Sequence, residues 1–235
     1  LHKRIALSIV NFTGTSGDRI ILGFILSTGF ISMWISNTAT TMMMFPIAAS
    51  VISVVQAGKV SQKGVAHFSL SIMLAIAYAS NFGGIATIIG TPPNVAYASF
   101  INKHYGFDIS FAKWMVICLP VALLLLFSLY LVMVKWLYPN RIAASREMKE
   151  TIHQSLKDLG PLKLAEKRVL VIFSLTAFLW ITRDLINRLQ WFRLEDSMIA
   201  VFGAILMFIV PAGAENKKQK ILEWDDTRRM AWGIL

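Results

Sequence analysis

Charge is missing from four long stretches of this sequence: no Asp, Glu, Lys or Arg occurs at 20–58, 64–102, 114–134 or 197–214. A helix crossing a bilayer needs about 20 predominantly apolar residues, so the gaps have the size of one crossing or of nearly two. Across the chain 56% of residues are hydrophobic and 15% charged, against about 25% charged in a soluble domain. A soluble fold has too little interior to hide that much apolar surface. The fold class expected is an all-α polytopic membrane protein.

The formal net charge of +10 does not point to nucleic acid, because the Lys and Arg residues sit between the apolar runs rather than along one reading face. Lipid headgroups are the partner that placement suits. Cys118 is the single cysteine and lies inside an apolar run, which excludes an internal disulfide and fits a small hydrophobe better than a reactive thiol. No signal peptide is visible after Leu1-His2-Lys3-Arg4. The first residue is not Met and Trp232-Gly233-Ile234-Leu235 reads as the opening of another apolar segment, so a piece of a longer protein is expected.

Residues 1–13 place Ile5, Leu7, Ile9 and Val10 beside Lys3 and Arg4, the pattern of a short amphipathic helix lying in the interface. The run 20–58 is too long for one crossing and carries Ser32, Ser36, Asn37, Thr38, Thr40 and Thr41 at its centre, then Pro46. Two arms folded around a polar tip, a re-entrant hairpin, fit it, since non-helical backbone at membrane depth survives only where protein or a cavity satisfies it. The run 64–102 repeats the problem and is interrupted by Asn81-Phe82-Gly83-Gly84 and by Gly90-Thr91-Pro92-Pro93-Asn94. Glycine pairs and proline pairs end or unwind helices, so a discontinuous transmembrane helix is expected.

Further along, 114–138 reads as a transmembrane helix with aromatic anchors near its ends, 139–168 as a cytoplasmic amphipathic linker, and 169–182 and 196–211 as two more transmembrane helices. Residues 212–235 read as a cytoplasmic loop and the start of a next span. Lys and Arg are dense in 139–168 and 212–229, which the positive-inside tendency assigns to the cytoplasm. Counting back, Lys59 and Lys63 fall inside and the loop from Lys103 to Lys113 outside. The hairpin then enters from the cytoplasm. Arg183, Arg188 and Arg193 fall outside, against the trend.

Polar groups left unpaired in hydrocarbon cost several kcal/mol each, so the two polar clusters should satisfy one another or a ligand. A hairpin tip and an unwound helix both expose carbonyls and free helix-end N–H groups. Hydroxyls and carbonyls of Ser32, Ser36, Asn37 and Gly84 suit a hard cation such as sodium. The helix-end N–H groups, the Asn37 amide and the Thr38 hydroxyl suit a carboxylate. Neither cluster holds an Asp or Glu, which a proton-coupled carrier would ordinarily have there.

The stretch Trp34-Ile35-Ser36-Asn37-Thr38-Ala39-Thr40-Thr41-Met42-Met43-Met44-Phe45-Pro46 resembles the first S-N-T hairpin signature of the divalent anion/sodium symporter family, carriers of dicarboxylates, citrate or sulfate. Residues 83–94, from Gly83-Gly84 through Thr91-Pro92-Pro93-Asn94, resemble its second signature. The resemblance runs along the whole chain. It implies part of an inverted-repeat transporter that symports sodium with a small divalent anion such as succinate, or citrate or sulfate. Ser32, Ser36, Asn37, Gly83 and Gly84 would bind sodium, and Asn37, Thr38, Thr91, Pro92 and Asn94 the substrate. It also implies a homodimer in a bacterial inner membrane. A second S-N-T hairpin, absent here, would complete the site. A related carrier of arsenite or metal–citrate complexes, with proton coupling as one option, is the alternative.

Plainer readings exist for the same residues. Ser32, Thr40, Thr41 and Thr87 suit helix packing, Asn37 and Asn94 an interhelical hydrogen bond, Pro92-Pro93 the shape of the break, and Met42-Met43-Met44 apolar filler. His2, His67, His104 and His153 lack metal-ligand spacing, and no phosphate-binding glycine motif occurs. No organic cofactor and no metal other than sodium is expected. Nor is an enzyme: Cys118 has no nearby His or Asp, and no acidic pair sits within a span.

Overall fold

The computed structural model describes residues 1–14, 16–57, 61–139, 142, 146–188, 194–213 and 220–227. The described residues are helical apart from short connections and one isolated bridge between Pro211 and Lys220. Four helices are long and apolar enough to cross a membrane: Asn37–Ala57, Gln62–Ile85, Phe111–Leu137 and Leu164–Arg188. By internal contact the chain forms two compact units, residues 2–100 with 115–160, and residues 101–114 with 161–235 and Leu1.

The first of these units begins with α1 (His2–Thr13), which turns Ala6, Leu7 and Val10 into the core against α2 (Gly17–Ser32). The apolar face expected to meet lipid is thus partly used on protein. Asp18 in the first turn of α2 suits the positive end of the helix dipole. The chain breaks at 33–36 and resumes as α3 (Asn37–Ala57), then as α4 (Gln62–Ile85), whose N-cap Ser61 accepts the Gly64 N–H at 3.2 Å. After a second break, α5 (Pro92–Tyr105) opens on Pro92 and Pro93, in the first turn, where a missing N–H costs no intrahelical hydrogen bond. Gly106, at φ +68°, follows it.

Register fixes how these helices run. Gly29 packs on Gly83 and Ser32 reaches the Ser80 carbonyl, so the last turns of α2 and α4 lie against each other. Asn37 and Thr41, at the start of α3, reach Asn81 and Ser80, near the end of α4. The ends of α3 and α4 remote from these contacts are joined by the few residues 58–61, so those two are antiparallel. Helices α2 and α3, joined by 33–36, also pack on each other. At 16 residues α2 spans about 24 Å, short of the roughly 30 Å hydrocarbon layer.

One expected interruption is absent. Asn81-Phe82-Gly83-Gly84 stays helical and the break starts only after Ile85. The two glycines serve close approach: a Cβ on Gly83 would strike the Gly29 backbone, and one on Gly84 would strike the Asn37 amide. The break itself, 86–91, coincides with the second expected interruption.

Helix α6 (Phe111–Leu131) contains Pro120 and passes into a π-helical stretch, Val132–Leu137. It matches the span read at 114–138. Most of the amphipathic linker forms α7 (Arg146–Asp158), closed by Gly160 at φ +65°. Ile152 is fully buried, and Leu156 and Leu159 pack on the same core. The Arg4 guanidinium donates to the Leu159 and Gly160 carbonyls at 3.0 and 2.8 Å, satisfying carbonyls at the helix end.

In the second unit, α8 (Leu164–Arg188) has 25 residues and extends past both ends of the span read at 169–182. Glu166, Lys167, Arg168, Arg183 and Asp184 bound the apolar stretch yet continue the helix, which is why an apolar window underestimates it. Helix α9 (Asp196–Ile209) has 14 residues, about 21 Å, so the crossing read at 196–211 is shorter than a bilayer requires. The short α10 (Trp224–Thr227) follows. Much of 212–235, including the start of a next span, lies outside the described residues, as does Arg193.

Arg183 joins the parts of this unit. Its side chain is 8% exposed, and its guanidinium pairs with Asp108 at 2.6 Å and Asp196 at 3.2 Å, while Nε–H donates to the Leu194 carbonyl at 3.1 Å. Asp196 also accepts the Phe111 N–H at 3.2 Å, and Phe111 stacks on Trp180. The sequence reading assigned Arg183 only to the outer side; the carboxylates it pairs with lie 13 and 75 residues away in sequence. Removing one partner of a buried ion pair costs about 3–5 kcal/mol, so Arg183→Met should lower the thermal midpoint of the purified protein sharply. Lys103→Met, on the exposed end of α5, should leave it nearly unchanged.

Candidate functional site

The polar residues of the α2–α3 turn and of the end of α4 meet inside the first unit. Ser32 Oγ, fully buried, lies 2.7 Å from both Asn37 Oδ1 and the Ser80 carbonyl. A hydroxyl has one proton, so it is shared between these two acceptors. Asn37 Nδ2–H donates to Asn81 Oδ1 at 3.1 Å, and Asn81 in turn donates to the Ala77 carbonyl. Thr41 Oγ1 lies 2.9 Å from the Asn37 carbonyl and 3.1 Å from Ser80 Oγ. Asn37 is therefore held at both ends of its amide, with its Oδ1 against the Cα of Gly84.

Each break is tied to the other. Thr87, buried in the second break, donates its hydroxyl to the Met33 carbonyl in the first. Asn94, in the first turn of α5, donates Nδ2–H to the Gly84 and Thr87 carbonyls at 2.9 and 2.8 Å. Those carbonyls lie at the end of α4 and just beyond it, where helical partners run out.

Of the residues read from sequence as sodium ligands, Ser32, Asn37 and Gly84 come together. Gly83 is buried against Gly29 and serves packing, while Ser36 is exposed and its Oγ accepts the Ala39 N–H at 3.4 Å as a helix cap. Of the substrate residues, Asn37 belongs to the cluster and Asn94 reaches it through Gly84. Thr38 and Pro92 are exposed, and Thr91 accepts the Asn94 N–H with its carbonyl. None of these last three hydrogen-bonds to Ser32, Asn37 or Gly84.

Ser80 is a member that the sequence reading missed, and Thr41 and Thr87, quoted in the two polar motifs with packing as their plainer reading, were given no ligand role. A signal existed: Ser80, Gly84 and Thr87 recur at helical spacing, i, i+4 and i+7, on one face of the chain leaving α4.

Chemically the cluster is a set of neutral oxygens, the hydroxyls of Ser32, Thr41 and Ser80, the amides of Asn37 and Asn81 and backbone carbonyls, without a carboxylate. Such donors suit a hard monovalent cation, whose single charge neutral oxygens can hold without a carboxylate. The start of α3 adds helix-end N–H groups at Asn37 and Thr38, directed to the kind of ligand a helix N-terminus favours, an anion. Among the described residues no group of His, Cys, Asp and Glu is placed to hold a metal ion.

The tightness at Gly84 is testable. Gly84→Ala should push the Asn37 amide off Ser32 and Asn81 at about 1–3 kcal/mol, read as a lower thermal midpoint. Gly213→Ala, with nothing within 4 Å of the added Cβ, should stay within about 0.5 kcal/mol of wild type.

Comparison with known proteins identifies relatives of the chain. Residues 1–235 match the family described as the sodium:sulfate symporter transmembrane region. The whole chain aligns with the sodium-dependent dicarboxylate transporter SdcS of Staphylococcus saprophyticus, 39% identical over 246 residues and 46% of that protein's length. It aligns equally with SdcS of Staphylococcus aureus strain USA300, 38% identical over 247 residues and again 46% of the relative. The chain thus spans about half the length of these relatives. With its four apolar helices and full-length family match, the chain is an integral, multi-pass membrane protein and belongs to the sodium:sulfate symporter family.

Proposed function

We propose that the protein containing this chain is a secondary transporter that symports sodium with a small dicarboxylate such as succinate. The observation that carries the reading is the position of Asn37: its amide oxygen faces Ser32 and Gly84 in a cluster of neutral oxygens, while the N–H groups of its own helix start lie beside it. Sodium would be held by the oxygens of Ser32, Asn37 and neighbouring carbonyls. A substrate carboxylate would meet the α3 N-terminus and the Thr38 hydroxyl, which is exposed. The names of the SdcS relatives, sodium-dependent dicarboxylate transporters, support the same pairing.

Coupling follows from sharing one side chain. One Nδ2 proton of Asn37 goes to Asn81, leaving the other for a carboxylate. A cation on Oδ1 polarises the amide, and with Asn37 fixed the carboxylate binds a site already in place. By linkage, the anion must raise sodium affinity by the factor by which sodium raises anion affinity. In this reading the α2–α3 turn is the tip of a re-entrant hairpin, α4 and α5 are halves of one discontinuous crossing, and residues 139–168 and 212–229 face the cytoplasm of a bacterial cell. The working unit is a homodimer whose second binding half comes from sequence equivalent to the remainder of the relatives.

Uptake of labelled succinate, citrate and sulfate into proteoliposomes holding the full-length protein, with and without an inward sodium gradient, tests this. Sodium-dependent succinate uptake that Asn37→Ala abolishes is the expected result. Uptake indifferent to sodium would overturn the coupling, and uptake of none of the three would overturn the substrate class.

A further inference from the structure

The sequence reading placed Asn94 among the residues that touch substrate, but the structure shows its amide already occupied. Nδ2–H donates at 2.9 Å to the Gly84 carbonyl and at 2.8 Å to the Thr87 carbonyl. An amide nitrogen has two protons, and both are directed inside the protein. The acceptors lie ten and seven residues back along the chain, so Asn94 is a fastener across the break between α4 and α5.

What the fastener holds is next to Asn37. Gly84 has room for no side chain: on one side the Asn37 amide occupies the place of its Cβ, and a Cβ on Gly90 would overlap the Gly84 carbonyl on the other. The glycine is therefore seated between the α2–α3 turn and the break, with Asn94 setting the direction of its carbonyl. Pro92 and Pro93 contribute no N–H to the start of α5, and the Asn94 N–H is taken by the Thr91 carbonyl at 3.1 Å. The first turn of α5 thus offers an arriving carboxylate no N–H from its first three residues.

Resting on the sodium-coupled reading above, we propose that Asn94 is a positioning residue for the sodium site and not a donor to substrate: its amide holds Gly84 against Asn37, and so sets the cation-binding geometry without touching either ligand. Losing a group that orients a ligand of a bound ion lowers ion affinity about 10- to 100-fold. The loss is recovered by saturating sodium, whereas the loss of a substrate contact is not.

The test is dicarboxylate binding to the purified full-length protein by calorimetry across a sodium series, together with the rise in thermal midpoint that sodium alone produces. Asn94→Ala should move the sodium concentration for half-maximal succinate binding up about tenfold or more and suppress the sodium-only thermal shift. Succinate affinity at saturating sodium should stay close to wild type. Asn94→Ser, which keeps a single donor, should fall between the two and provides a milder variant should the alanine protein not fold.

Succinate affinity reduced at every sodium concentration, with the sodium-only shift intact, would overturn the proposal and return Asn94 to the substrate. Parallel loss of both affinities that saturating sodium does not restore would also overturn it. A wild-type protein that binds succinate without regard to sodium would instead overturn the coupled reading itself.

Discussion

Every helix that stops inside a packed apolar region leaves carbonyls and N–H groups that water cannot serve, and the arrangement of this protein follows from how two such stops satisfy each other. The turn after Ser32 and the break after Ile85 are separated by α3 and α4, which fold back to bring them together. Ser32 answers the Ser80 carbonyl, Thr87 the Met33 carbonyl, and Asn94 the carbonyls of Gly84 and Thr87. Without these cross-links each stop would leave several buried polar groups unpaired, at about 1–3 kcal/mol apiece. The packing around them is correspondingly close, with Gly29 on Gly83 and Gly84 on Asn37.

The same solution creates the chemistry. Satisfying a break with neutral side chains gathers hydroxyl, amide and carbonyl oxygens at one point, and α3, which starts there, turns its N–H end toward it. A cation and an anion can then be accommodated side by side without a buried charge of the protein's own. The acidic residues are kept elsewhere: Asp108, Asp184 and Asp196 gather around Arg183 in the other unit, where they serve the connection of α8 to its neighbouring loops. The buried Arg183 network and the candidate site thus belong to different units.

Much of this was legible in the sequence because hydrophobicity and its interruptions are local. The uncharged runs gave the membrane class, and the polar tip at 36–38 and the Gly90-to-Asn94 interruption marked the breaks. Three things were not legible. Asn81 to Gly84 looked like an unwound segment because glycine's low helix propensity is visible in sequence, while its value for close contact with Gly29 and Asn37 depends on a helix far along the chain. Ser80 looked ordinary for the same reason, its carbonyl and hydroxyl gaining their roles only from Ser32 and Thr41. The extent of α8 was missed because charged residues that end an apolar window need not end a helix, and Arg183 is buried by partners more than ten residues away in either direction.

The central claim is that the turn at 33–36 and the break at 86–91 form one sodium-responsive site. Hydrogen–deuterium exchange of the purified full-length protein, in sodium and in the same concentration of potassium, tests it most directly. The account predicts that sodium alone slows exchange in peptides covering both 32–41 and 83–94, by a common concentration dependence. Protection confined to one of the two segments, or equal protection by potassium, would contradict it.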